Sequence, residues 1–166
     1  ALAQLISKNN SVLMWVKEKT VKFDINHNHL NKKYLPGIKL NKKIISTNNL
    51  DDLKHSEIIF LTVPVQYMSS ILKKIKKIVK KNVIFVCCSK GIEMNNLRLP
   101  SQIVASHFPN HNIAVLSGPN FAEEISRSMP AATLIASSKI NTSKKIASVV
   151  QTKLFRPYIS DDVIGS

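Results

Sequence analysis

The sequence predicts an α/β fold, a doubly wound and mostly parallel sheet, and three observations predict it. Short apolar runs recur at residues 11–16, 58–63, 83–88 and 113–116, with helix-spaced stretches between them, and such alternation marks strand–helix–strand units. Two polar segments, Ser89-Lys90-Gly91-Ile92-Glu93 and Ser117-Gly118-Pro119-Asn120-Phe121-Ala122-Glu123-Glu124, each follow one of those runs. In open α/β sheets ligands collect at that edge, so the pair reads as a substrate site. Finally, 166 residues, 44% of them apolar, suffice for one domain with a real core.

Taken in order, Ala1-Leu2-Ala3-Gln4-Leu5-Ile6 reads as a helix already under way, with no capping residue ahead of it. After the polar break Lys8-Asn9-Asn10, residues 11–16 read as a buried strand with Lys17 and Glu18 at its end. Residues 19–42 show little periodicity and contain the turn signal Tyr34-Leu35-Pro36-Gly37. They read as a surface excursion with some helix. Residues 43–46 form a short strand, Asn49 caps a helical stretch at 50–55, and a strong strand at 58–63 runs into Pro64.

A helix over about residues 66–80 carries Ile71, Leu72, Ile75, Ile78 and Val79 on one apolar stripe. Six lysines between them, from Lys73 to Lys81, form its solvated face. A strand at 83–88, a helix near 101–107 and a strand at 113–116 follow. After Pro119 a helix near 120–126 precedes the apolar run 131–136, a helix over 142–152 and a last strand at 155–159. No internal repeat and no linker divides the chain.

The net charge of +14 raises the possibility of a nucleic-acid or polyanion partner. The distribution favours a plainer reading, because the lysines interleave with an apolar helical stripe and Asn, Ile and Lys are abundant throughout. No specific nucleic acid is expected, and a polyanion-binding domain stays as the rival from another class. The apolar runs are too short to cross a bilayer and no charged leader opens the chain, so no membrane span and a cytoplasmic location are expected. Cys87 and Cys88 are adjacent in a strand, where successive side chains point to opposite faces, and read as reduced core residues. The five histidines lack metal-site spacing, so no metal is implied, and Ser89 and Ser117 lack a positioned histidine base and read as turn serines.

Lys90 follows a buried strand and precedes Gly91, which permits a tight turn, so its ammonium can face an anion or carbonyl oxygen at the sheet edge. An ordinary exposed loop lysine is the plainer alternative. Gly118-Pro119 sets a proline at a helix start, where free amides can hold an anion and Asn120 adds a side-chain amide. A simple helix cap, with Glu123 and Glu124 complementing the dipole, explains it equally well. The four glycines form no phosphate-cradling loop. In a dinucleotide fold that loop joins the first strand to the first helix, and this chain begins inside a helix.

Together, Trp15-Val16-Lys17, Asn31-Lys32-Lys33-Tyr34-Leu35-Pro36-Gly37, Val63-Pro64 and the two segments above resemble, in the same order, the cofactor domain of bacterial NAD(P)-dependent glycerol-3-phosphate dehydrogenase. The resemblance runs from Ala1 to about Gly165. It implies a Rossmann-like sheet and reversible hydride transfer between NAD or NADP and the dihydroxyacetone phosphate/glycerol 3-phosphate pair, supplying phospholipid synthesis. It implies that Lys90 contacts both cofactor and substrate, that Gly118 and Asn120 bind substrate, and that Lys17, Pro64 and Ala122 meet the cofactor. Lys17 stands where the adenosine ribose or its phosphate is met, with Glu18 beside it, and the choice between NAD and NADP stays open.

The same resemblance places the family's first strand and glycine loop before Ala1, and its helical substrate domain, with the general acid/base lysine, after Asp161-Asp162-Val163-Ile164-Gly165. Residues 1–166 are therefore expected to be a partial dinucleotide-binding domain of an enzyme that can act as a homodimer. A related two-domain dehydrogenase acting on another small acid is the nearest alternative.

Overall fold

A computed structural model describes residues 1–166. The first half contains α1 (Leu2–Ile6), β1 (Val12–Trp15), α2 (Lys19–Phe23), a π-helical turn at Asp24–Asn28, β2 (Leu30–Asn31), β3 (Leu35–Lys39), β4 (Ile44–Thr47) and a 3₁₀ helix at Leu50–His55. Then come β5 (Ile58–Leu61), α3 (Val65–Ile75), β6 (Ile84–Cys87), α4 (Pro100–His107), β7 (Asn112–Ser117), α5 (Ala122–Ser126), β8 (Ala131–Ala136), α6 (Ile140–Val150) and β9 (Phe155–Ser160).

All four residues of β6 are buried, as a central strand covered on both faces requires. Its side chains alternate between two layers. Phe85 and Cys87 join Met68 and Leu72 of α3 and Ile103 and Val104 of α4 in one core cluster. Ile84 and Val86 join Ile135, Ile146, Val150 and Phe155 in the other. This period of two, with helices on both sides, is the doubly wound architecture expected. Cys87 and Cys88 accordingly face different layers, both as free thiols.

The main sheet has the order β5-β6-β7-β8-β9. It is parallel except where β8 runs antiparallel to β7. A second, two-stranded sheet pairs β1 with β4 in parallel, Val12 opposite Ile44. Val12 packs on the same core cluster as Ile58 and Phe60 of β5, yet no pairing joins β1 to β5. The sheet is thus split between the positions of those two strands.

Residues 19–42 differ from the surface excursion expected of them. Val21, Ile25, Leu35 and Leu40 pack with Ile44 as a third buried cluster, and β2 and β3 form an antiparallel hairpin. Leu35-Pro36-Gly37 lies within β3, and the turn falls just before it. Partnering jumps from Leu30↔Lys39 to Asn31↔Leu35, so Pro36 and Gly37, the latter at φ +75, mark a bulge. The lysine-rich helix also ends earlier than its stripe suggests. α3 stops at Ile75, where Ile78 N–H bonds the Ile75 carbonyl at 2.9 Å and tightens the chain, while Ile78 and Val79 still pack on the core. No helix is long and apolar enough to cross a membrane.

Candidate functional site at the carboxyl edge of the sheet

The segment after β6 is fastened to the end of β5 and the start of α3. Ser89 Oγ donates to the carbonyls of Val63 (2.5 Å) and Leu61 (3.3 Å). Gln66, in the first turn of α3, donates to the Ile92 carbonyl (2.9 Å) and accepts from Met94 N–H (3.1 Å). Gly91 turns at φ +99, a conformation side-chain-bearing residues rarely adopt. Pro64, just ahead of α3, fixes the entry of that helix at φ −54. Glu93 is structural: it is buried, and hydrogen bonds from Asn96 (3.1 Å) and then Arg98 (2.9 Å) hold its carboxyl below the usual carboxylate range.

On this frame Lys90 is exposed, and its Nζ donates to the Gly118 carbonyl at 3.4 Å. One contact therefore joins two segments 28 residues apart in sequence. Gly118 adopts φ +150, and a Cβ there would lie 3.1 Å from Asn120 Nδ2 and 3.2 Å from the Ala132 carbonyl. Asn120 Nδ2 donates to Thr133 Oγ1 at 3.0 Å, and that hydroxyl donates to the Ser117 carbonyl at 2.8 Å. Asn120 Oδ1 is buried without a partner. Such an acceptor is costly to leave unpaired.

The local geometry corrects the helix-start reading of Pro119. α5 begins at Ala122, an exposed residue, and Pro119 and Asn120 lie in the turn ahead of it. The Asn120 amide N–H is spent on the Gly118 carbonyl (2.8 Å), so that amide is not open to a ligand. Glu123 and Glu124 do occupy the first turn. Thr133 is the residue that sequence reasoning missed. Its one signal is a lone hydroxyl inside the apolar run 131–136.

Lys17 and Glu18 stand apart from this group, at the carboxyl end of β1. Trp15 Nε1 donates to the Asn48 carbonyl (3.2 Å) and Asn48 Nδ2 to the Val16 carbonyl (2.7 Å), closing the β1 and β4 ends together. A cleft of about 680 Å³ opens beside the β4 end, lined in part by Lys19, Lys22, Asn26 and Asn49. Lys17 is exposed and makes no ion pair. Glu18 Oε1 accepts from Lys33 Nζ (2.8 Å) and Tyr34 Oη (3.0 Å), while Oε2 is buried without a partner. The Lys33 hydrogen bond, foremost, holds the Glu18 carboxyl below its usual range. An unpaired cation at one strand end, and at another an exposed ammonium bonded to the turn that holds a buried, unpartnered amide oxygen, suit an extended ligand bearing phosphate and hydroxyl groups. The donor set therefore fits a dinucleotide. No three His, Cys, Asp or Glu side chains lie together as metal ligands.

A mostly parallel sheet wound on both faces, with its candidate polar side chains gathered at the strands' carboxyl ends, defines a Rossmann-type dinucleotide-binding domain. The chain belongs to the glycerol-3-phosphate dehydrogenase family: the family model for the NAD-dependent glycerol-3-phosphate dehydrogenase N-terminus matches residues 1–143. The glycerol-3-phosphate dehydrogenase (NAD(P)+) of Neorickettsia sennetsu is 40% identical over 163 residues, 97% of this chain and 49% of that protein. That of Erythrobacter litoralis is 36% identical over 167 residues, 100% of this chain and 50% of that protein. The crystal structure of glycerol-3-phosphate dehydrogenase from Coxiella burnetii matches with a TM-score of 0.92 at 25% identity, over 99% of this chain and 51% of that one. The chain thus spans about half the length of the curated relatives it matches.

Proposed function

We propose that residues 1–166 form part of the dinucleotide-binding domain of a cytoplasmic enzyme that interconverts dihydroxyacetone phosphate and sn-glycerol 3-phosphate for phospholipid synthesis, working with a helical substrate domain and as a homodimer. The observation that carries this reading is the Lys90–Gly118 contact, which ties an exposed ammonium to the turn that also holds the buried, unpartnered oxygen of Asn120. A bound NAD(P)H supplies the hydride. As a ketone accepts hydride its oxygen gains negative charge, and a fixed cation at that position lowers the barrier. Lys90 takes that role. Asn120, held by Thr133, accepts from a substrate hydroxyl, and Gly118 leaves room for it. Pro64 and Ala122 border the cofactor path, and Lys17 meets its adenosine ribose or the phosphate on it.

The test is steady-state kinetics of the intact protein. Lys90→Ala lowers kcat/KM roughly 10²-fold or more, equivalent to about 2.7 kcal/mol, whereas Lys77→Ala, on the exposed face beyond α3, changes little. Equally small effects from both substitutions on a folded protein overturn the assignment of Lys90.

A further inference from the structure

We infer that the β2–β3 hairpin selects the phosphorylated cofactor: Lys33 and Tyr34 draw Glu18 away from the end of β1 and leave Lys17 to receive a ribose 2′-phosphate. This inference rests on the cofactor reading above. In dinucleotide folds an acidic side chain near this strand end favours unphosphorylated ribose by accepting from its 2′-hydroxyl, and the same negative charge repels a 2′-phosphate. Glu18 is the acid at this edge, but neither of its oxygens is offered there. Oε1 holds both Lys33 and Tyr34, and Oε2 is buried.

The clamp is built by the fold. Lys33 and Tyr34 occupy the turn between β2 and β3, and Asn31 Oδ1 accepts from Tyr34 N–H at 3.2 Å, ordering that turn. Leu35, the next residue, is buried with Val21 and Ile25 and ties the hairpin to the core. Lys33 Nζ also lies 5.3 Å from the centre of the Tyr34 ring, so the two clamping groups steady each other. Pairing with Lys33 offsets the Glu18 charge, while Lys17 stays unpaired and Lys19 and Lys22 outnumber Asp52 along the neighbouring cleft. The strand end is therefore electropositive.

An unpartnered, buried carboxylate oxygen is costly. Glu18 stays withdrawn only while Lys33 and Tyr34 hold it, and freeing it returns a negative charge beside Lys17. Lys33 and Tyr34 are thus positioning residues that act through Glu18.

The experiment measures binding of adenosine 2′,5′-bisphosphate and 5′-AMP to the intact protein by calorimetry, since the two probes differ only in the 2′-phosphate. The native protein prefers the bisphosphate by about tenfold or more, the size of one charge-assisted hydrogen bond. Lys33→Met with Tyr34→Phe brings the two affinities close to parity, and adding Glu18→Gln restores the preference. A merely structural role for the hairpin weakens both nucleotides alike and shows no rescue. Should the double variant unfold, as its thermal midpoint reveals, Lys33→Met alone and its Glu18→Gln rescue carry the same expectation at smaller amplitude. Equal native affinities, an unchanged preference in the clamp variants, or failure of the rescue overturns the inference while leaving the cofactor reading intact. Binding of neither nucleotide overturns both.

Discussion

Asn120 donates its side-chain amide to Thr133 Oγ1 at 3.0 Å, and Thr133 Oγ1 in turn donates a hydrogen bond to the Ser117 carbonyl at 2.8 Å. This relay links the turn that carries Gly118 to the buried centre of β8, where Thr133 is only 3% exposed. It fixes which way the Asn120 amide faces. Its free oxygen is therefore held in place rather than left to rotate.

Thr133→Val keeps the shape of the side chain but strands Asn120 Nδ2 and the Ser117 carbonyl. Leaving buried polar groups unpaired costs about 1–3 kcal/mol each, so the urea midpoint falls. On the proposed function, KM of the intact protein for glycerol 3-phosphate rises. Thr133→Ser retains the hydroxyl and restores KM more fully than it restores stability.

Gly118→Ala tests how closely the turn is packed. A Cβ there meets the Ala132 carbonyl at 3.2 Å, in backbone that cannot swing aside, at a φ of +150. Strain of this kind costs about 1–3 kcal/mol, and the shift displaces Asn120, so turnover falls along with stability. Gly37→Ala, at φ +75 with no atom within 4 Å of the added carbon, lowers the thermal midpoint without affecting turnover.

Burial pushes the Cys87 thiol up to about 12 and raises the Cys88 thiol as well. The thiolate is the reactive form, so neither cysteine of the folded chain reacts with a disulfide reagent at about pH 8. Both label in denaturant. Rapid labelling of native protein contradicts the two-layer placement of these strand residues.

His107 accepts from or donates to Ser69 Oγ at 2.8 Å, joining α4 to α3. Burial, foremost, and then Lys73, Lys76 and Arg98 lower its pKa from 6.5, with Glu93 opposing weakly. The folded state thus resists protonation more than the unfolded chain does. The associated stability is fully present above the ordinary value of 6.5 and declines as pH falls from there through the folded value. Urea midpoints measured at about pH 7.5 and about pH 5.5 show that decline, and His107→Gln flattens the difference.

The strand and helix order was legible because it depends on local periodicity. The unbroken apolar run of β6 and the i, i+1, i+4 stripe of α3 announce their burial without reference to any partner. The loops carrying Lys90 and Gly118 could be placed at one sheet edge for the same reason, since parallel strands deliver their carboxyl ends to one side. The Pro-Gly pair was misread because these residues punctuate both turns and bulges, and only the pairing of β2 with β3 tells which.

What the sequence by itself determined is the α/β class, the alternation that winds it on both faces, and the two segments that share its edge. Tertiary structure alone decided the antiparallel course of β8, the withdrawal of Glu18 by Lys33 and Tyr34, and the anchoring of Asn120 by Thr133. The last two join residues 13 to 16 positions apart. A side chain's hydrogen-bond partner at such separations depends on how the intervening elements pack, which local periodicity leaves undetermined.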